Sequence, residues 1–261
     1  MSTIISWTNE TWNPVTGCSR VSEGCRNCYA ERISLEKGSS HLPWTAENAA
    51  RNVICHPERL MKPYAIKTPT RIFVNSMSDM WHDQVPDSFI RATFRVMNDT
   101  PHTYQILTKR PERAAQWPGP WTPNIWMGTS IEDEHAMHRV AAIRSCKAQT
   151  RFISAEPLLG PLPALDLAGI DWVIVGGESG PGFRAMDMAW ARDIRDACVT
   201  QRVAYFFKQD SALWTETRPY LVETDGSRWR WHQYPGQLSP PVLLSPSVQG
   251  KRIEPATGGA R

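Results

Sequence analysis

Between residues 71 and 209 the chain alternates short apolar runs with longer segments in which apolar residues recur every three or four positions. The short runs are rich in β-branched and aromatic residues and predict buried strands, whereas the longer segments predict amphipathic helices. Alternation of this kind is typical of a parallel sheet covered by helices. The predicted strands lie within RIFVNSMSD, TYQILTK, NIWMGTSIED, RFISAEPLLG, DWVIVGGESG and VAYFFKQ, and the clearest helices are DSFIRATFRVMND and MAWARDIRDACVTQ.

The number of these units favours a closed or partly closed barrel over a small open sheet. A further short strand is predicted at residues 4–7. We therefore predict an α/β fold, an incomplete parallel (β/α) barrel of about six to seven strands over residues 1–210. Residues 211–261 change character, since prolines and tryptophans become frequent. The DGSRW turn between LVET and RWHQY predicts one hairpin there, followed by an extended tail.

Composition narrows the class of protein. The apolar content of 41% is ample for a core, and no apolar run approaches the roughly 20 residues that span a bilayer. The N-terminus lacks the basic-then-apolar pattern of a signal peptide. Six cysteines are too few for a disulfide scaffold at this length, which favours the reducing cytoplasm as the location. The net charge of +3 permits nucleic-acid binding without arguing for it.

A loop at residues 13–32, reading NPVTGCSRVSEGCRNCYAER, carries the most specific chemistry. It holds Cys18, Cys25 and Cys28 in a C-x6-C-x2-C pattern, and Gly17 and Gly24 precede two of them. Glycines allow the backbone to bend tightly around a small group. Three thiolates from one loop indicate a metal cluster that leaves one coordination position open.

Cys28 runs directly into the predicted helix YAERISLEK. Amide groups at a helix N-terminus favour a thiolate, so the sequence predicts a lowered thiol pKa there.

Other interpretations of the loop stay open at this point. The cysteines are ordinary buried thiols in one of them. In another they form a structural zinc site, with a fourth ligand from Cys55, His56, His41 or His82. A third interpretation is a nucleic-acid-binding module without catalysis, in which arginines and tryptophans contact the bases.

Polar side chains follow each predicted strand where it ends. Because ligands gather at the carboxyl ends of parallel strands, these residues predict one polar pocket. The candidates are Ser76, Ser78, Asp79, Lys109, Ser130, Glu132, Glu156 and Glu178.

The segments NPVTGC and GCRNCYAER resemble the cysteine loop of radical S-adenosyl-L-methionine enzymes, in particular the branch around spore photoproduct lyase and DNA-repair-photolyase-like proteins. That branch has three residues between the first two cysteines, where this chain has six. The similarity continues through VNSMSDMWHDQVPD, QILTKRPE and MGTSIED. To about Gln209 the chain resembles still more closely a family of phage and prophage proteins defined by this three-cysteine motif.

The resemblance implies a [4Fe-4S] cluster on Cys18, Cys25 and Cys28, with S-adenosyl-L-methionine bound to the fourth iron through its amino and carboxylate groups. Reductive cleavage would then give methionine and a 5′-deoxyadenosyl radical that removes hydrogen from a substrate. The substrate itself is unknown, and DNA, RNA or a nucleotide is the leading class. An external electron donor of the flavodoxin or ferredoxin type is implied, and no membrane partner.

The resemblance also implies roles for the strand-end residues in binding the cofactor. The carboxylates would take the ammonium group and the ribose hydroxyls, and Lys109 would take the methionine carboxylate. Asn27 stands where the branch has an aromatic residue beside the adenine, so Tyr29 is the aromatic candidate for that contact.

Overall fold

The computed structural model describes residues 3–37 and 40–244 of the chain. It has an α/β fold whose main sheet contains seven strands, each parallel to its neighbours. The sheet curves into an incomplete barrel, in agreement with the predicted fold class. Within the described residues no helix is long and apolar enough to cross a membrane.

The strands follow one another through the sheet largely in chain order, namely β1, β4, β5, β6, β7, β8 and β9. Their bounds are β1 Glu10–Trp12, β4 Arg71–Val74, β5 Thr103–Thr108, β6 Ile125–Ser130, β7 Thr150–Ala155, β8 Trp172–Gly176 and β9 Ala204–Gln209. The structure also contains two small antiparallel sheets. One pairs β2 Val15–Thr16 with β3 Ile54–Cys55. The other contains β10 Leu221–Val222, β11 Arg228–Arg230 and β12 Val242–Leu244.

Helices connect most of the parallel strands. They are α1 Tyr29–Lys37, α2 Ala49–Asn52, α3 Asp87–Asp99, α4 Pro111–Gln116, α5 Arg139–Ser145 and α6 Met188–Gln201, with 3-10 turns at Glu23–Cys25, Pro57–Arg59, Lys62–Ala65 and Glu134–Ala136. The helices α1, α3 and α6 have the bounds of the sequence segments that predicted them. These three segments combine helical apolar spacing with good helix formers, so local and tertiary preferences agree.

Side-chain alternation along the strands divides the core into two parts. One set of side chains, for example Ile153 and Val173, packs against the helices outside the sheet. The other set points to the concave face and forms a separate cluster around Trp172, Phe152 and Phe206. The base of the barrel's concave face is therefore filled by a packed aromatic core.

The N-terminal stretch and the C-terminal segment contact each other, and Tyr234 Oη donates to the Ser6 carbonyl at 3.4 Å. The predicted strand at residues 4–7 is wrong: this stretch forms a turn in which the Thr8 amide donates to the Ile5 carbonyl, and the strand is Glu10–Trp12. Apolar character at Trp7 reflects packing into the concave cluster instead of strand pairing. From the other end, His232 pairs with Phe206 of β9.

The C-terminal segment is tied to the barrel through main-chain hydrogen bonds. Phe207 donates to the carbonyl of Trp231 at 2.8 Å, and Trp172 Nε1 donates to the carbonyl of Gln233 at 2.8 Å. Residues 223–227 join β10 to β11, where the sequence predicts a hairpin. The predicted extended tail falls largely on residues 245–261, which lie outside the described residues.

Trp172 lies at the centre of the concave cluster, in ring contact with Trp7, Phe152 and Phe206. We expect Trp172→Ala to lower the free energy of unfolding by about 3–5 kcal/mol, because a large buried ring leaves a cavity. The matched control Trp214→Ala removes a ring that is 75% exposed and should change it by less than about 0.5 kcal/mol. Urea unfolding measures both values, and equal changes would contradict this description of the core.

Candidate functional site

A cavity of about 820 Å³ opens at the carboxyl ends of the parallel strands. Cys18, Cys25 and Cys28 all line it. Eight of the nine predicted cofactor residues line it too, since parallel strand ends converge at one edge of a barrel. They are Tyr29, Ser76, Ser78, Asp79, Lys109, Ser130, Glu156 and Glu178.

The cysteine loop takes a tight path that depends on its glycines. Gly17 has a φ of +82°, and a Cβ there would lie 1.8 Å from the Asn52 carbonyl oxygen. A Cβ on Gly24 would lie 2.3 Å from Cγ of Glu132. Larger residues do not fit at either position, so the glycines before Cys18 and Cys25 let the loop lie directly against the barrel.

The ends of β4 and β5 fix the first cysteine. Asp79 accepts hydrogen bonds from Thr108 Oγ1 at 2.8 Å and from Arg110 Nη1 at 3.2 Å. Arg110 then donates to Cys18 Sγ at 3.4 Å, and its Nη2 donates to the carbonyl and hydroxyl oxygens of Ser19, each at 2.9 Å. Asp79 therefore acts on Cys18 through the orientation of the Arg110 guanidinium.

The end of β6 fixes the middle of the loop. Glu132 is 1% exposed and accepts a hydrogen bond from Ser22 Oγ at 2.7 Å. Arg139 Nη1 pairs with the same carboxylate at 2.9 Å, and Lys109 Nζ lies 3.4 Å from it. Of the nine predicted cofactor residues, Glu132 is the one that lies behind the loop and not in the cavity wall. Its carboxylate pairs with two cations and positions the loop.

The end of β8 fixes the third part of the loop. Asn27 Nδ2 donates to Glu178 Oε2 at 2.9 Å and to the Gly182 carbonyl at 3.1 Å. Glu178 also pairs with Arg184, whose Nη2 lies 2.5 Å from Oε1. The Asn27 amide therefore joins the loop to the residues that follow β8.

The remaining predicted residues occupy the wall in different ways. Tyr29 donates its hydroxyl to the Ser76 carbonyl at 2.7 Å, and Ser78 Oγ donates to the Val15 carbonyl at 2.8 Å. Ser130 ends β6 beside the cavity. Glu156 accepts a hydrogen bond from Lys208 near the end of β9.

Burial controls the ionisation of the loop thiols. It raises the pKa of Cys18 to about 12, with Asp79 acting in the same direction and Arg110 against it. Burial also raises the pKa of Cys28, although the amides of Glu31 and Ala30 at the start of α1 lower it. The predicted helix effect is present, but desolvation outweighs it. Burial lowers the pKa of Lys109, whereas Glu132 and the thiolates raise it above its ordinary value.

The histidines proposed as a fourth zinc ligand have other partners. His82 Nε2 lies 2.8 Å from Ser19 Oγ, and its Nδ1 accepts from the Gln84 amide at 3.1 Å. His56 contacts Thr16 Oγ1 through Nε2 and Glu58 through Nδ1. Within residues 3–37 and 40–244, no group of three His, Cys, Asp or Glu side chains is close enough together to hold a single metal ion.

The expectation that polar residues at strand ends share one pocket also covers Arg110, Ser154 and Lys208, at the ends of β5, β7 and β9, and all three line the cavity. Trp7 lines it as well, and sequence reasoning did not place it there. The contact of Trp7 depends on the turn at residues 4–7, which the apolar pattern does not reveal.

A family model described as "Protein of unknown function (DUF5131)" matches residues 2–239. Neither the curated proteins nor the solved structures contain a match to the chain.

Glu132→Ala tests how the loop is held. Removing the carboxylate leaves the charge of Arg139 buried without its partner, so we expect the free energy of unfolding to fall by about 3–5 kcal/mol. Amides of residues 22–25 should also exchange hydrogen faster, because Ser22 loses its acceptor. Glu134→Ala is the matched control, since Glu134 is exposed two residues away. Unchanged exchange in Glu132→Ala would contradict the proposed role of this carboxylate.

Proposed function

The chain belongs to the DUF5131 family, and we propose that this protein is a radical S-adenosyl-L-methionine enzyme with a [4Fe-4S] cluster on Cys18, Cys25 and Cys28. Three thiols lie on one cavity wall with two cations beside them, and this arrangement is the observation that carries the proposal. Arg110 donates to the Cys18 sulfur, and Lys109 is close enough to Cys25 and Cys28 to interact with both electrostatically.

This environment fits an anionic cluster. Three thiolates concentrate negative charge, and the half-buried cations Lys109 and Arg110 offset the cost of removing that charge from water. Hydrogen bonds to cluster sulfurs also set the reduction potential, a role suited to Arg110. When bound, the cluster would supply the electron that cleaves S-adenosyl-L-methionine to methionine and a 5′-deoxyadenosyl radical, which then removes a hydrogen atom from the substrate.

The protein's part in this chemistry is to hold and orient the cofactor in the cavity. Asp79 and Glu178 already bind Arg110 and Arg184, so their proposed contribution is largely to the position of the loop. Glu156 lines the cavity and pairs with Lys208 through Oε1, and we assign its other oxygen to the ammonium or ribose groups. Lys109 remains the proposed partner of the methionine carboxylate.

Smaller residues on the same wall complete the proposed cofactor site. Ser76, Ser78 and Ser130 supply hydroxyl or backbone groups, and the half-exposed ring of Tyr29 is the proposed contact of the adenine.

The proposal extends to the partners of the enzyme. DNA, RNA or a nucleotide is the proposed substrate class, and the external electron donor is of the flavodoxin or ferredoxin type. Exposed apolar side chains at the cavity mouth, including Trp214 and Leu213, suit a large or aromatic substrate. The reducing conditions that such a cluster needs agree with a cytoplasmic location.

Metal content tests the proposal most directly. Protein reconstituted with iron and sulfide without oxygen should be brown, hold about four irons per chain, and lose its colour with dithionite, as a low-potential cluster does. Cys18→Ala, Cys25→Ala and Cys28→Ala should each remove the iron, because each removes one of three ligands.

The matched control is the same substitution at Cys146 and Cys198. Both are buried in the core between sheet and helices, and neither lines the cavity. Iron analysis and visible spectra should match the unsubstituted protein. Stoichiometric zinc without iron after reconstitution would disprove the cluster.

Calorimetry on the iron-loaded protein tests the second cofactor. S-adenosyl-L-methionine should bind in the micromolar range, and Glu156→Gln should weaken binding by about 1–3 kcal/mol because a charge-assisted hydrogen bond is lost. Glu58→Gln, an exposed carboxylate remote from the cavity wall, should leave the affinity unchanged. If iron-loaded protein fails to bind S-adenosyl-L-methionine, the radical mechanism is wrong.

A further inference from the structure

A second cavity, of about 290 Å³, lies beside the small C-terminal sheet. Its volume is near the lower end of the roughly 300–1,000 Å³ that is typical of small-molecule sites. The start of α6, the segment after β9 and the β10–β11 hairpin form its walls, which include Met188, Asp210, Arg218, Tyr220, Val222 and Arg228. None of these residues lines the cavity that contains the cysteines. We call this second cavity the C-terminal pocket.

The β10–β11 hairpin gives the C-terminal pocket an apolar wall. Val222 lies opposite Arg228 in the sheet register, and Tyr220 precedes Val222 by two residues, so these three side chains share one face. The alternate residues Leu221 and Trp229 pack against the core of the barrel instead. The face that is turned away from the core therefore combines apolar side chains with the guanidinium of Arg228.

Arg228 carries a charge that no carboxylate of residues 3–37 and 40–244 balances. Its guanidinium lies over the ring of Tyr220, 5.2 Å from the ring centroid, and forms no hydrogen bond or ion pair with that part of the chain. The ring orients the guanidinium without using its N–H donors. A guanidinium held in this way can donate two parallel hydrogen bonds to a carboxylate.

Arg218 brings a second guanidinium, whose charge is balanced by an aspartate. Its Nη2 lies 3.0 Å from Asp210 Oδ2 and donates to the Ser211 carbonyl at 3.2 Å, which leaves the other N–H groups for a further acceptor. The acidic residues beside the pocket, Asp187 and Asp225, accept hydrogen bonds from backbone amides and do not line it. Two arginines and one aspartate leave one positive charge, which is complementary to a monoanion.

We propose that the C-terminal pocket binds a small monocarboxylate with an apolar body. Arg228 and Arg218 take its carboxylate, and Met188 and Val222 contact its body. The planar fork of a guanidinium matches a carboxylate, and one excess positive charge suits one negative charge better than the two of a phosphate dianion. The apolar wall suits a branched or aromatic body better than a hydrated one. This proposal goes beyond the proposed function and does not depend on the cluster.

The experiment titrates the full chain with phenylacetate, before and after reconstitution with iron, and follows binding by saturation-transfer NMR and calorimetry. Phenylacetate should bind both samples equally, with a dissociation constant of roughly 1 mM or lower, as suits a ligand of this size. Phenylacetamide has the same body without the charge and should bind at least about tenfold more weakly. Inorganic phosphate lacks the apolar body and should also bind more weakly than phenylacetate.

Substitutions locate the bound carboxylate. Arg228→Gln and Arg218→Gln should each weaken phenylacetate binding by about tenfold, because each removes charge-assisted hydrogen-bond donors. Arg32→Gln is the matched control, since Arg32 is exposed on α1 and lines the cysteine-containing cavity instead. It removes the same charge and should leave the affinity unchanged. Near-ultraviolet circular dichroism confirms that each variant is folded.

Three results would overturn the proposal. In the first, phenylacetate fails to bind the folded chain or binds no better than phenylacetamide. In the second, Arg228→Gln and Arg218→Gln bind phenylacetate as tightly as the unsubstituted protein does. In the third, only Arg32→Gln loses binding, which would place the carboxylate in the other cavity. None of these results changes the iron content, so the cluster is tested separately.

Discussion

Three buried carboxylates at the ends of β4, β6 and β8 hold the cysteine loop against the barrel. Asp79 orients Arg110 onto Cys18, Glu132 binds Ser22, and Glu178 binds Asn27. Each carboxylate also pairs with an arginine, so the negative charges are compensated where water is largely excluded. The loop contains one short 3-10 turn and little other regular structure before α1. Its shape, and with it the position of every thiol, therefore depends on these contacts to the strand ends.

This arrangement explains why parallel strands suit the site. Strands that run in the same direction deliver their carboxyl ends to one edge, so residues distant in the chain meet around a single loop. Asp79 and Glu178 are almost 100 positions apart, yet Asp79 acts on the loop through Arg110 and Glu178 binds Asn27 of the same loop. The aromatic concave core below, with Trp172 at its centre, keeps those ends at fixed spacing. The packing of the barrel therefore determines the geometry of the site.

The sequence predicts the fold well where a segment's local pattern and its tertiary environment agree. The six apolar runs became strands, and α1, α3 and α6 matched their segments, because burial on one face leaves a clear periodicity. The strand predicted at residues 4–7 is wrong, because a short apolar stretch has the same pattern whether it pairs as a strand or packs its side chains into the barrel. Strand-end polarity located the cavity, but it could not reveal that Asp79, Glu132 and Glu178 bind protein groups. Their pairing with Arg110, Arg139 and Arg184 depends on the folded path of the segments that follow the strands.

Lys109 and Arg110 are adjacent in the chain but interact with different parts of the site. At the end of β5, Lys109 Nζ lies 3.4 Å from Glu132 and interacts electrostatically with Cys25 and Cys28, while Arg110 contacts Asp79 and Cys18. One strand end thereby places a cation beside each part of the three-cysteine motif. Burial keeps the Cys18 thiol protonated at neutral pH, since its pKa is about 12. The proposed cluster would therefore displace that proton on binding, and the two cations would offset the resulting thiolate charge in the cavity.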